Sequence, residues 1–159
     1  VSGGRHDPEI FNVIADKGCP YVLTHSRGNS QTMDSLARYT NVVKDVKKEL
    51  YNQIDLALSN GINNEQIIID PGIGFAKNVY QNITLLQQLE EFVSMNYPVL
   101  IGASRKRFIG SVINESDPNK RIFGTAAVAS RCVIAGIDIL RVHDVKEISQ
   151  VVKMTNSII

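Results

Sequence analysis

Apolar and polar positions along the chain switch between a helical and an extended period, and the switches mark out the elements. The first stretch, "HDPEIFNVIADKG" (6–18), has apolar residues at helical spacing, with Asp7 able to cap it, Pro8 suited to its first turn and Gly18 closing it. "YVLTH" (21–25) is a short apolar run that reads as a strand, and the polar loop "SRGNSQTMD" follows. Leu36, Tyr39, Val43, Val46, Leu50, Ile54 and Ala57 then recur at intervals of three and four, which predicts one long amphipathic helix ending before Gly61. "QIIID" (66–70) is the second strand, and Val79, Ile83, Leu86, Leu89 and Val93 define one face of the helix after it. "PVLIGAS" (98–104) is the third strand, returning through the Ala-rich helix "RIFGTAAVASRCVIAG" (121–136). "IDILRVH" (137–143) is the last strand. "DVKEISQVVKMTNSI" (144–158) is the closing helix, with Asp144 and Glu147 spaced as a capping box.

A leading helix followed by four strand–helix units predicts an α/β fold with a parallel sheet. The short, all-apolar strands suggest that both sheet faces are buried. Two closures fit this pattern: an open doubly wound sheet, or part of an eight-stranded barrel. Four units are too few to close a barrel alone, and periodicity does not choose between the two. No repeat, linker or low-complexity segment divides residues 1–159, so one domain or one piece of a domain is expected. "VSGG" at the start reads like the tail of a strand and its loop, as in a segment of a longer chain.

Net charge is +1 with Lys and Arg scattered, which argues for neither a nucleic-acid nor an anionic membrane partner. No apolar run approaches the roughly 20 residues that span a bilayer. Cys19 and Cys132 have no metal-type spacing and read as a pair of buried free thiols, which suits a reducing, intracellular setting, either cytoplasm or an organelle interior.

The candidate chemistry lies at the strand ends. "HSRG" follows the first strand, Asp70 ends the second, "SRKR" follows the third and "RVHD" ends the fourth. In both architectures ligands bind at the C-terminal ends of parallel strands, so these groups face one rim. An aspartate delivered from "III" into "PG" is costly unless it has a partner. Asp70 could simply bond its own turn, or it could accept two parallel hydrogen bonds from an N–C–N edge of a heterocycle. Gly72 and Gly74 permit close backbone approach, and Phe75 could wall an aromatic ligand. Ser104 and Lys106 can share one side of the basic turn Ser104–Arg107. Arg141 and His143, two apart on a strand, point the same way and suit an anion. His25 and Arg27 could contact a substrate or organise their loop, His6 reads as a surface residue, and Glu90 and Glu91 read as a solvated pair. No Ser-His-Asp order, HExxH or Walker loop occurs.

"DPGIGFAKN", "GASRKRFIG" and "RVHDV", in this order and spacing, resemble the dihydropteroate synthase family along the whole chain. "SGG" and "THSRGNSQTM" also match, with departures at Thr24, Ser26 and Ser30. The resemblance implies the C-terminal part of a (β/α)8 TIM barrel over residues 1–159, with the N-terminal half, its pterin aspartate, its mobile loops and its metal-binding asparagine lying elsewhere. It implies a transferase of folate biosynthesis and a sulfonamide target. The reaction joins 6-hydroxymethyl-7,8-dihydropterin diphosphate to p-aminobenzoate with release of diphosphate. By residue, it implies Asp70, Lys106 and Arg141 with Phe75 at the pterin, Phe75 and Ser104 near p-aminobenzoate, and Arg141 and His143 at the diphosphate. Of these, Asp70, Lys106, Arg141 and His143 would carry catalysis. Mg2+ would assist departure with no ligand in this chain, the complete protein would be a homodimer, and these residues alone would be inactive. Two other readings stay open: a non-catalytic half-barrel that binds a pterin or anion or pairs through open sheet edges, and a methyltetrahydrofolate-type methyltransferase relative, against which "SRK" and "RVHD" argue.

Overall fold

Four short parallel strands, each followed by helix, carry the chain in the order expected of an α/β protein; the computed structural model describes Gly4 and residues 7–159. The expectations for the rest of "VSGG" and for His6 lie outside the described residues.

Helix α1 (Glu9–Lys17) begins where the Asp7 carboxylate accepts the Glu9 amide at 3.2 Å. It ends at Gly18, whose N–H bonds the Ile14 carbonyl. After β1 (Tyr21–Thr24), the long helix α2 (Val42–Ser59) starts later than the periodicity predicts. Asn41 caps it by accepting the Lys44 amide, and the Asp45 carboxylate turns back to the Thr40 and Asn41 amides. Leu36 therefore lies in a 3₁₀ turn (Met33–Leu36) and Tyr39 in the coil beyond it.

The helix expected after β2 (Ile67–Asp70) is two helices, α3 (Val79–Gln87) and α4 (Glu90–Val93), because Gln88 leaves the helical region at φ −120°, ψ 38°. Strands β3 (Leu100–Ile101) and β4 (Ile139–Leu140) are shorter than their apolar runs. Between them come α5 (Arg107–Ile113), which the apolar pattern does not predict, and α6 (Ile122–Ile134); α7 (Val145–Ile158) closes the chain. The capping box at Asp144 does not form, since Asp144 makes no side-chain cap bond and its carboxylate is held by Arg105 instead.

Register decides which side chains meet. β1 pairs with β2 (Leu23 opposite Ile69, Thr24 opposite Asp70), β3 with β4 (Leu100 opposite Ile139), and one bridge, Ile69 to Val99, joins the two pairs. Alternation then puts Leu23, Ile67, Ile69, Val99 and Ile101 on one face, each at most 1% exposed. They pack in one core with Val46, Leu50 and Ile54 of α2. Each such side chain contributes about 1.5–3 kcal/mol. The other face carries buried Leu100 beside half-buried Val22, Ile68 and Ile139, so it is less completely covered than the first. Its C-terminal continuation carries Thr24, Asp70, Gly102, Ser104, Arg141 and His143.

Cys132 is buried and Cys19 is exposed, so the expected pair of buried thiols holds for one of the two. Among the described residues no helix is long and apolar enough to cross a membrane.

Candidate active site

The shared parity of β3 and β4 extends past their last paired residues. The Arg141 amide bonds the Ile101 carbonyl at 3.0 Å, so Arg141 stays in register with Gly102 and His143 with Ser104. Without a side chain at Gly102, the Nε–Nη2 edge of the Arg141 guanidinium approaches that backbone; a Cβ there would stand 3.3 Å from both nitrogens. Ser104 Oγ lies 3.0 Å from His143 Nδ1 and accepts the His143 amide at 3.3 Å. These residues, with Lys106, line a cavity of about 470 Å³. Among the described residues Arg141 makes no ion pair, although Lys106 stands close enough for the two charges to repel.

Asp70 ends β2 with both oxygens engaged: Oδ1 accepts the Gly72 amide at 2.8 Å and Oδ2 the Thr24 hydroxyl at 3.3 Å. Burial pushes its pKa up, against the Gly72 amide, the Lys106 charge and the Thr24 hydroxyl. The self-bonded turn is thus real, yet it uses only half of the roughly four lone-pair directions of a carboxylate. Asp70 itself lines neither cavity.

Beyond Asp70 the chain bends at Gly72 (φ 69°), where a Cβ would collide with the His25 carbonyl oxygen. Lys106 crosses to this loop. Its ammonium bonds the Ile73 carbonyl and lies 4.4 Å from the centroid of the Phe75 ring. Burial lowers the Lys106 pKa to about 8, opposed by the charge of Asp70. Phe75 and Lys106 line a second cavity of about 720 Å³, bounded also by Met33, Val79 and Phe108. Ser104 and Phe75 therefore face different cavities, with Lys106 shared between them.

Arg105 adopts φ 60° between Ser104 and Lys106. Thr125 Oγ1 accepts its amide, Arg121 donates to its carbonyl at 2.8 Å, and its guanidinium holds Asp144 at 2.5 Å. This clamp sends Ser104 toward His143 and Lys106 toward Asp70.

His25 and Arg27 organise the loop and face neither cavity. Fully buried His25 bonds Glu49 at 3.0 Å, and Arg27 pairs with the same carboxylate and stacks 3.9 Å over the Tyr39 ring. Burial drops the His25 pKa to about 4. Burial works against the ionised Glu49, but hydrogen bonds from His25 and Arg27 hold it down at about 2. Glu90 is solvated but pairs with Arg131 at 2.7 Å, and Glu91 pairs with Lys47 at 2.7 Å. Lys77, Glu49 and Arg121 escape a reading of the sequence, because nothing in their spacing sets them apart from surface charges. The one available hint is that Lys77 directly follows the glycine-rich loop.

A family model described as pterin binding enzyme matches residues 1–143. The dihydropteroate synthase of Synechocystis sp. is 44% identical over 158 residues, which is 99% of this chain and 55% of that protein. The dihydropteroate synthase of Thermus thermophilus has been solved in complex with 4-aminobenzoate (TM-score 0.92, 35% identity, 99% of this chain and 61% of that one). The same enzyme in complex with 6HMPPP gives a TM-score of 0.91 at 36% identity, covering 98% of this chain and 61% of that one. The chain spans about half the length of the curated relatives it matches.

Proposed function

The chain belongs to the pterin binding enzyme family, and from that premise we propose that it forms the substrate-binding C-terminal part of a dihydropteroate synthase. Residues 1–159 would be one partial domain, four strand–helix units of a (β/α)8 barrel. The sequential parallel strands and the likeness to solved synthases support this.

One observation carries the reading: three of the four parallel strands, β2, β3 and β4, deliver Asp70, Ser104, Lys106, Arg141 and His143 to one rim, with Arg141 free of any ion pair among the described residues. Asp70 would accept the pterin amide and amino edge through its unused lone pairs. Lys106 would hydrogen-bond the pterin ring, and Phe75 would wall the p-aminobenzoate or a sulfonamide in its stead. Arg141 and His143 would hold the diphosphate. In the reaction the amine nitrogen of p-aminobenzoate forms a bond to the pterin's methylene carbon. The carbon–oxygen bond breaks, its electrons leave with diphosphate, and the nitrogen sheds a proton. No protein nucleophile takes part, so catalysis rests on orientation and on fixed positive charge at the departing oxygens.

The resemblance also implies Mg2+. Among the described residues no group of three or more His, Cys, Asp or Glu side chains converges on one point, so these donors do not fit the ion. A homodimer through the last helices is supported by exposed Phe123, Met154 and Ile158. The net charge of +1 supports small-molecule substrates over nucleic acid or membrane, and a cytoplasmic or organelle-interior setting accords with folate synthesis.

The test is pteroate formation from the two substrates by the complete synthase containing these residues, by its Lys106→Ala form, and by residues 1–159 alone. Turnover is expected from the complete synthase, slower turnover from its Lys106→Ala form, and none from residues 1–159 alone. Lys106→Ala is expected to cost on the order of 2–3 kcal/mol of transition-state binding. Wild-type kinetics in the Lys106→Ala enzyme would remove the role given to Lys106, and absence of turnover in the complete protein would remove the reading itself.

A further inference from the structure

The loop from Gly72 to Ala76 is buried or half-buried, and its backbone polar groups are taken up by side chains from elsewhere in the fold. Asn82 Oδ1 accepts the Gly74 amide at 2.6 Å, Lys106 binds the Ile73 carbonyl, and the Tyr39 hydroxyl donates to the Ala76 carbonyl at 3.0 Å. Two further carbonyls, Gly72 and Phe75, both go to one group, the Lys77 ammonium, at 3.0 Å each. Its third partner is His25 Nδ1 at 2.9 Å.

Three acceptors match the three N–H bonds of an ammonium, so Lys77 is held as the cation although its side chain is almost fully buried. Its position also fixes the histidine. With Nδ1 accepting from Lys77, the ring proton sits on Nε2 and is donated to Glu49, which Arg27 holds in turn. The chain Glu49–His25–Lys77 therefore runs from α2, through the end of β1, to the two carbonyls that flank the Gly74 bend.

We propose that Lys77 is a positioning residue that fixes Phe75 against the p-aminobenzoate face of the site, with the Glu49–His25 pair holding the lysine in turn. The inference rests on the functional reading above, because it assigns Phe75 to that substrate. The Lys77 side chain touches neither reacting atom; it acts through the backbone on both sides of Gly74. Burial draws its pKa down to about 7, with the charges of Asp70 and Glu49 supporting the ammonium and those of Lys106 and Arg27 opposing it. Loss of one N–H above that pH leaves two donors for three buried acceptors, of which only the Gly72 carbonyl keeps another partner, the Phe75 amide at 3.0 Å.

Two measurements on Lys77→Met test this. In the complete synthase, amide hydrogen exchange at Gly74, Phe75 and Ala76 is expected to speed up at least tenfold, with α2 and β1 unchanged. In the complete synthase, KM for p-aminobenzoate is expected to rise about tenfold while KM for the dihydropterin diphosphate stays within twofold. Should Lys77→Met not fold, Lys77→Gln, which keeps two donors, is expected to give the same split at smaller amplitude. The wild-type KM for p-aminobenzoate is expected to climb above pH 7. Equal change in both KM values, or unchanged loop exchange, overturns the assignment. A wild-type synthase that forms no pteroate refutes the functional reading, and the exchange data still decide whether Lys77 fixes the loop.

Discussion

Ser104 Oγ lies 3.0 Å from His143 Nδ1 while accepting the His143 amide, so one hydroxyl binds both the backbone and the ring of the residue beside it on the next strand. With one lone pair taken by the amide, the hydroxyl keeps its proton and a second lone pair for Nδ1, so the bond serves either tautomer of the ring. The resemblance alone assigns Ser104 to p-aminobenzoate, whereas its hydrogen bonds here are to His143, the residue proposed for the diphosphate.

Ser104→Ala should therefore weaken the dihydropterin diphosphate more than p-aminobenzoate. The loss of one such bond is about 1 kcal/mol, or roughly fivefold in KM. Steady-state kinetics with each substrate varied separately reads it, and an effect confined to p-aminobenzoate would return Ser104 to the other cavity.

Arg141 breaks no ion pair when it is removed, so Arg141→Ala should leave the unfolding midpoint unchanged and weaken anion binding. A lost charge-assisted contact is about 1.5–3 kcal/mol, roughly ten- to a hundredfold in affinity for inorganic diphosphate by calorimetry. Arg141→Lys should recover only part of this, since a point charge cannot reproduce the planar fork whose edge sits beside Gly102.

Strand order, the helices other than α5 and the α3–α4 break, and the residues of the rim are legible in the sequence because each follows from a local rule: apolar period, turn chemistry and position at a strand end. Arg141 and His143 could be assigned to one face by counting, and the register agrees. What is not legible depends on partners far along the chain. The capping role predicted for Asp144 fails because Arg105, distant in sequence, takes its carboxylate. Helix α2 begins at Val42 because Asn41 and Asp45 compete successfully with an apolar spacing that runs on through Tyr39 and Leu36. Lys77 and Glu49 look like any surface charges until the fold buries one and half-buries the other against His25.

Lys106 should set the alkaline limb of activity. Its pKa is lowered to about 8 by burial, so the ammonium that faces Asp70 and Phe75 is lost as pH rises through that value. The pH profile of kcat/KM for the dihydropterin diphosphate is expected to fall above about pH 8, and Lys106→Arg, charged at all accessible pH values, should flatten that limb. A wild-type profile level to about pH 9.5 would contradict this.

Gly72→Ala is expected to be severely destabilising. The position needs φ 69°, and the added methyl would meet the His25 carbonyl oxygen, a backbone atom that cannot turn aside. Left-handed strain alone costs about 1–3 kcal/mol. The urea midpoint should fall accordingly, whereas Gly18→Ala, with the same backbone sign but open space around it, should cost no more than the strain.

His25 should govern stability in mild acid. Its folded pKa of about 4 lies below the ordinary value of 6.5, because burial disfavours the imidazolium and Lys77 already points a donor at Nδ1. The unfolded chain binds a proton in this interval and the folded chain does not, so stability rises with pH across it. The contribution is complete above 6.5 and drains away as pH falls toward 4, by roughly 3 kcal/mol. Glu49, ionised down to about 2, adds a further loss only below its ordinary 4.5, so the two steps are separable. Chemical denaturation between about pH 7 and pH 4 measures the slope directly. His25→Gln, which keeps a donor for Glu49 and cannot titrate, is expected to be less stable at about pH 7 and nearly pH-independent down to about 4.5. A wild-type stability that is flat over the same range would show that the imidazole is accommodated as a cation in the folded protein.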